Sequence, residues 1–110
     1  MSIRVHVQTV AGDTIISLDG AVDADLIGHL GDGIAAVAGG TSGRVLVDIE
    51  HLTLLDDAGF GDLVDQLVAA ADGRSGIIAR RTTTRQVLAH WGIPGRIPIY
   101  DGLPKETPDP

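Results

Sequence analysis

The sequence predicts a single α/β domain with a small mixed sheet of four to five strands flanked by about three to four helices. Its 110 residues suit one core of ordinary size. The apolar residues recur with a period of two in some segments and near 3.6 in others, so strands and helices alternate after an initial pair of strands. Fifteen glycines mark the turns between these segments. Strand–helix–strand alternation favours parallel pairing through right-handed crossovers.

The first element is a predicted hairpin over residues 3–18. Ile3, Val5 and Val7 alternate with polar residues, which is typical of a half-buried strand. A short turn at residues 11–13 then leads into a β-branched run that completes the hairpin.

The next segment predicts a helix over residues 24–37, because its apolar residues share one helical face. Asp23 is placed to cap this helix, since a carboxylate accepts from the free N–H groups of a first turn. Gly28, Gly31 and Gly33 each weaken an isolated helix by about 1 kcal/mol. The helix is therefore expected to depend on tertiary packing.

The central strand and the second helix have the clearest patterns. Residues 44–50 alternate as a strand, and the apolar positions within residues 60–71 follow helical spacing with acids on the opposite side. Asp57 is a natural N-cap for that helix. A short buried strand at residues 77–79 is expected to follow it.

The end of the domain predicts a third helix and an edge strand. Thr82 or Thr83 can cap a helix that runs through Trp91. Residues 97–100 are extended, and Pro98 cannot donate to a sheet ladder, which favours an edge position.

The domain is expected over residues 1–101, and the proline-rich tail at 102–110 is expected to be disordered.

Composition limits the classes of partner. The formal charge of −7 opposes phosphate backbones and anionic bilayers, so neither nucleic acid nor membrane is an expected partner. No apolar run approaches the roughly 18 residues of a membrane span, and a signal peptide is not recognisable, so a cytoplasmic location is expected.

Candidate catalytic residues are few. Asp56 and Asp57 could bind a divalent cation or accept a phosphoryl group, but a helix cap with a neighbouring acid is the favoured interpretation. The four histidines are scattered without the spacing of a helical metal pair, and the chain has no cysteine. The sequence therefore predicts a binding module, with no enzymatic activity, metal site or cofactor.

Residues 45–61 resemble the central strand, turn and helix start of STAS domains, the family of anti-sigma factor antagonists. The family turn has the pattern hydrophobic-Asp-Ser-Ser/Thr-Gly-hydrophobic-Gly. Residues 18–23 resemble the motif after the family's second strand, and residues 87–101 resemble its last helix and ending, so the likeness extends over nearly the whole chain. The turn positions that match are Asp56, Gly59, Phe60 and Gly61.

The resemblance implies a cytoplasmic bacterial protein that regulates transcription, as in stress responses. Such a protein binds an anti-sigma factor of the serine kinase type and thereby releases a sigma factor. In the family, the kinase phosphorylates the second hydroxyl residue of the turn, which expels the antagonist. A weak homodimer is left open. The implied partner-binding positions are Asp23, Asp56, Asp57, Ala58, Gly59, Phe60, Gly61 and Asp62.

The chain departs from the family pattern at the two hydroxyl positions, which are Asp57 and Ala58. Ala58 stands at the phosphoacceptor position and has no oxygen to modify, so the usual switch is expected to be absent. Either the chain is permanently able to bind, which we favour, or the carboxylate of Asp57 imitates the phosphorylated state.

Two other functions stay open from the sequence. A small STAS protein can also serve as an accessory subunit of a transport ATPase or of a stress-sensing assembly, where phosphorylation at this turn is not always needed. An enzymatic alternative would use Asp56 and Asp57 to accept a phosphoryl group or to handle a nucleotide.

Overall fold

The computed structural model describes residues 4–21, 24–53, 57–71 and 73–102. These residues form a five-stranded mixed sheet and three α-helices, which confirms the predicted fold class. A 3-10 turn, Ile93–Gly95, precedes the last strand. The other elements, in chain order, are β1 (Arg4–Val10), β2 (Asp13–Ala21), α1 (Ala24–Gly39), β3 (Val45–Thr53), α2 (Asp57–Ala70), β4 (Ser75–Ile78), α3 (Thr82–His90) and β5 (Ile99–Tyr100).

The strands lie side by side in chain order, from β1 to β5. β1 pairs antiparallel with β2, whereas β2, β3, β4 and β5 run parallel. A two-residue turn joins β1 to β2, because Ala11 and Gly12 lie between the paired residues Val10 and Asp13. Their φ angles of 53° and 85° are the type I′ geometry, whose twist matches that of the flanking strands.

All three helices pack on the same face of the sheet. Each parallel crossover moves the chain one strand further in the same direction, so right-handed connections keep returning to one side. Val45, Val47 and Ile49 of β3 point into this helix-side core and are fully buried. The helical residues in the core are Ile34 and Ala38 of α1, Phe60, Leu63, Val64, Leu67 of α2 and Leu88 of α3.

The opposite face, which we call the strand face, carries a smaller apolar cluster formed by strand residues within the described part of the chain. Ile15, Leu46 and Ile78 are fully buried there, and Tyr100 packs beside them. The Arg44 guanidinium lies 5.2 Å from the centroid of the Tyr100 ring. This cation–π contact places the polar end of a long side chain over the edge of the cluster.

The capping predictions for two helices were wrong in detail. α3 begins at Thr82, so Arg81 occupies the N-cap position, and its side chain makes no capping hydrogen bond. Neither Thr82 nor Thr83 therefore stands before the helix as its cap. α2 begins at Asp57, which places this residue inside the first turn and not in front of it.

Asp13 and Arg44 form an ion pair at the amino ends of the parallel strands. Asp13 is 8% exposed. Its Oδ2 accepts from Arg44 Nη2 at 2.7 Å and from Nε at 3.1 Å, and its Oδ1 accepts from the Arg44 backbone N–H at 2.9 Å. These hydrogen bonds hold the pKa of Asp13 below its ordinary value of 3.8, because they favour the charged carboxylate.

Replacing Asp13 by asparagine is expected to lower the free energy of unfolding at pH 7 by about 1–2 kcal/mol, since hydrogen bonds to a charged group are lost. A depressed folded-state pKa means that this stabilisation is complete above the unfolded pKa and is lost as the pH falls through the folded one. In urea titrations, the difference between wild type and Asp13→Asn should be constant above about pH 5 and shrink as the pH falls below 3.8. A difference that stays constant on acidification would contradict this assignment.

Candidate functional site

The starts of all three helices meet at one edge of the sheet, which we call the carboxyl edge. α1 follows the end of β2, α2 follows β3, and α3 follows β4, and these three strands are parallel. The free N–H groups of each helix start direct partial positive charge outward. Ligands of open α/β sheets bind outside this edge. Of the predicted partner-binding residues, those that the structure describes, residues 57–62, form the start of α2 at this edge.

The start of α2 is the centre of the predicted site. Residues 57–59 form its first turn through their backbone, directly after the segment that leaves β3. Asp62 follows on the exposed side of the helix. Asp23 and Asp56, which the sequence also assigned to the site, lie outside the described residues.

The segment after α3 packs against the first half of α2. Phe60 is 4% exposed, and its ring centroid lies 6.0 Å from that of Trp91 at a 43° tilt. Gly61 is buried, and a Cβ built on it would lie 3.4 Å from Arg96 Nη1. Arg96 also donates to the exposed carboxylate of Asp65. The acidic side of α2 therefore carries a cation from elsewhere in the chain.

A cluster of two acids and two arginines lies near the same edge. Arg80 Nη1 donates to Asp48 Oδ2 at 3.2 Å, and the Arg80 backbone N–H donates to Glu50 Oε2 at 3.0 Å. Arg81 Nε lies 3.2 Å from Glu50 Oε1. These contacts tie the end of β3 to the start of α3. Because both arginines are already paired with carboxylates, the cluster favours a structural role over binding of an anion.

The described residues contain no group of three histidine, aspartate or glutamate side chains placed to hold a metal ion. In the same part of the chain, no helix is long and apolar enough to cross a membrane.

No protein-family model matches the sequence, and no curated protein matches it significantly. Solved structures do match. An anti-sigma factor antagonist from Mycobacterium paratuberculosis superposes with a TM-score of 0.76 at 23% sequence identity, over 93% of this chain and 88% of that one. An anti-sigma-factor antagonist (STAS) domain protein from Planctomyces limnophilus has a TM-score of 0.67 at 17% identity, over 90% and 91% of the two chains. The chain has the STAS fold.

The phosphorylated form of SpoIIAA, a Bacillus cell fate determinant, shares the fold with a TM-score of 0.56 at 21% identity, over 87% of this chain and 90% of that one. These likenesses confirm the fold that the resemblance implied. Within the STAS fold of this chain, the predicted site residues whose side chains the structure describes fall into two groups. Phe60 and Gly61 are buried and fix the position of α2, whereas Asp62 is exposed beside it.

Arg96 and the arginines that follow β4 are the residues near the site that sequence reasoning did not assign to it. The sequence placed Arg80 and Arg81 at a solvated edge near a helix start, which is their location, but it did not identify their carboxylate partners. Arg96 follows the 3-10 turn and has no pattern of its own in the sequence. Its position beside Asp65 results only from folding.

Proposed function

We propose that this chain is an anti-sigma factor antagonist-like binding module, which docks on a kinase-type anti-sigma factor and relieves the inhibition of a sigma factor. The observation that carries the proposal is the STAS fold, matched over 93% of the chain to an anti-sigma factor antagonist. The described site adds a helix start at the carboxyl edge, with an exposed acid one turn inside α2.

The proposed docking surface comprises Asp23, residues 56–59, Asp62 and the exposed side of the first two turns of α2, and the buried residues Phe60 and Gly61 support it from inside. Asp62 and Asp65 are both exposed there, and the chain as a whole has a formal charge of −7. Arg96 partly neutralises Asp65, so of these two exposed acids Asp62 is better placed to meet a basic partner. Association through such charges is faster at low salt and weaker at high salt.

The usual phosphorylation switch is absent from this proposed function. The resemblance places Ala58 at the phosphoacceptor position, in the first turn of α2. A phosphate there would add about −1.5 to −2 charge to the middle of the docking surface, and alanine cannot accept it. The module is therefore permanently competent to bind its partner, and the serine kinase activity of that partner does not release it.

Affinity capture from the source lysate tests the proposal, with the purified chain as bait and mass spectrometry as the readout. Wild type is expected to retain a kinase-type anti-sigma factor whether or not ATP is present. Ala58→Ser is expected to retain it without ATP and to lose it after incubation with ATP. Capture of a transport ATPase instead, or capture of the anti-sigma factor only after Asp57→Ser/Ala58→Ser replacement, would overturn the proposal of a permanently competent antagonist.

Charge reversal at Asp62 locates the surface in the same experiment. Asp62→Lys is expected to reduce binding of the captured factor by about tenfold or more, since a like charge would face the basic partner. Asp32→Lys is the matched control. Asp32 is an exposed acid on α1, and its replacement by lysine changes the net charge by the same amount. Equal losses in the two variants would show that only net charge matters, and would exclude docking at the start of α2.

A further inference from the structure

A half-open apolar groove lies between β1 and α1 on the helix-covered face of the sheet. Its volume is about 210 Å³, and we call it the β1 groove. Val5 and Val7 form its outer wall and are 49% and 47% exposed, although both are large apolar residues. The remaining wall includes Ile16 of β2 and Leu30, Gly33 and Val37 of α1.

β1 is also an edge strand of the sheet, and none of the described residues pairs with its outer side. In a two-residue turn the flanking residues, here Val10 and Asp13, form a hydrogen-bonded pair. Every second residue from Val10 back to Arg4 therefore hydrogen-bonds to β2. Val5, Val7 and Thr9 therefore direct their N–H and C=O groups outward. β1 contains no proline or lysine and pairs with β2 without a register shift, so it lacks the proline, lysine and β-bulge that commonly protect an edge.

These outward groups are self-complementary. A two-fold axis at Val7 would set Val7 opposite its own copy and Val5 opposite Thr9 of the second chain, in antiparallel hydrogen-bonded pairs. Opposite residues of an antiparallel pair lie on the same face, so the two Val7 side chains would pack together. The β1 grooves of the two chains would then join across the axis and cover the exposed valines.

The charge distribution permits a second copy as the occupant at β1, because this strand brings no acid to the contact. The chain has a formal charge of −7, so two copies repel each other over most of their surface. β1 contains no acid, and its charged or titratable side chains are Arg4 and His6. In the two-fold register Arg4 would face Val10 of the second chain, so like charges do not oppose each other. We propose that two copies of this chain dimerise through β1, with Val7 on the two-fold axis and a sheet continuous across both chains.

Single-cysteine variants test the register directly, because the natural sequence has no cysteine. The Cα atoms of a hydrogen-bonded antiparallel pair are about 5.5 Å apart, within the range that a disulfide bridges. Under mild oxidation Val7→Cys is expected to form a covalent dimer, and Thr9→Cys alone is expected to stay monomeric. A mixture of Val5→Cys and Thr9→Cys is expected to form the mixed dimer. Equal cross-linking of Val7→Cys and Thr9→Cys would overturn the register.

Sedimentation equilibrium on chains without added cysteine tests the association itself. Wild type is expected to shift, with rising concentration, from 11.4 kDa towards twice that mass. Val7→Lys should remove this shift because it places a cation at the axis, whereas Val87→Lys should keep it. Val87 is a matched control, since it is 38% exposed on α3. A wild type that stays monomeric at millimolar concentration would overturn the proposal and leave β1 free for an unrelated extended peptide.

Discussion

Replacing Gly43 by alanine is expected to lower the free energy of unfolding by about 3 kcal/mol, at the upper end of the usual cost of overpacking. A Cβ built on Gly43 would overlap the backbone carbonyl oxygen of Gly12 and lie 3.3 Å from Asp13 Oδ1. Backbone atoms cannot move aside as a flexible side chain can. Gly12 is held by the type I′ turn, and Asp13 by its bonds to Arg44. Urea denaturation followed by circular dichroism measures the effect.

Gly33→Ala is the control for this prediction, because a Cβ at Gly33 would meet no heavy atom within 4 Å. Gly33 lies inside α1, where alanine costs less backbone entropy than glycine, so stability should rise by about 0.5–1 kcal/mol. A loss of stability in Gly43→Ala together with a gain in Gly33→Ala would separate the steric cost of the added methyl group from the gain in backbone entropy. A stabilised Gly43→Ala variant would show that the β1–β2 turn yields to the added methyl group.

The arrangement of strands and helices was predictable from the sequence because it follows from local periodicity. The helical spacing within α2 correctly indicated which side is buried. The alternation in β1 and β3 located both strands but not their buried sides, because Val5 and Val7 of β1 are 49% and 47% exposed and the first five residues of β3 are buried on both faces. Strand order then restricts the topology, because successive right-handed crossovers in one direction place every helix on one face. Pro98 was expected at an edge, and it directly precedes β5, the last strand of the sheet.

Contacts between distant segments were not predictable in the same way. Thr82 and Thr83 have the chemistry of a cap, yet α3 begins at Thr82 with Arg81 before it. Arg80, which follows β4, is paired with Asp48 on β3, 32 residues earlier in the chain. Neither outcome has a local sequence signal, because each depends on where the neighbouring strand ends.

The paired acids Asp56 and Asp57 before a helix first drew attention to the candidate site, and the family resemblance then defined its residues. Periodicity assigned Phe60 only to the apolar face of α2, which is where the structure places it. The resemblance added the significance of residues 57–59 and of alanine at position 58. Neither periodicity nor the resemblance predicted that Arg96 lies beside the site, because only folding brings it to Gly61 and Asp65.

Arg74 joins three parts of the chain at the amino ends of the parallel strands. Its Nη2 donates to the carbonyl oxygen of Ala38 at 2.8 Å, near the end of α1. Its Nη1 donates to the carbonyl oxygens of Thr41 at 2.9 Å and Gly43 at 2.7 Å. Its own carbonyl oxygen accepts from the N–H of Val45 at the start of β3. A charged donor at the end of a helix also opposes the negative end of the helix dipole.

Arg74→Met is therefore expected to lower the free energy of unfolding by about 3 kcal/mol, since three charge-assisted hydrogen bonds are lost while the aliphatic stem is kept. Arg74→Lys should show a smaller loss, because a single ammonium cannot reproduce the planar fork that reaches all three carbonyls. Urea denaturation of both variants provides the measurement. Because Gly43 supplies one of these carbonyls, the loss in Arg74→Met/Gly43→Ala should be less than the sum of the single losses. If the losses are strictly additive, the Gly43 backbone and the Arg74 guanidinium stabilise the fold independently. If Arg74→Met does not change stability, water satisfies the three carbonyl oxygens equally well.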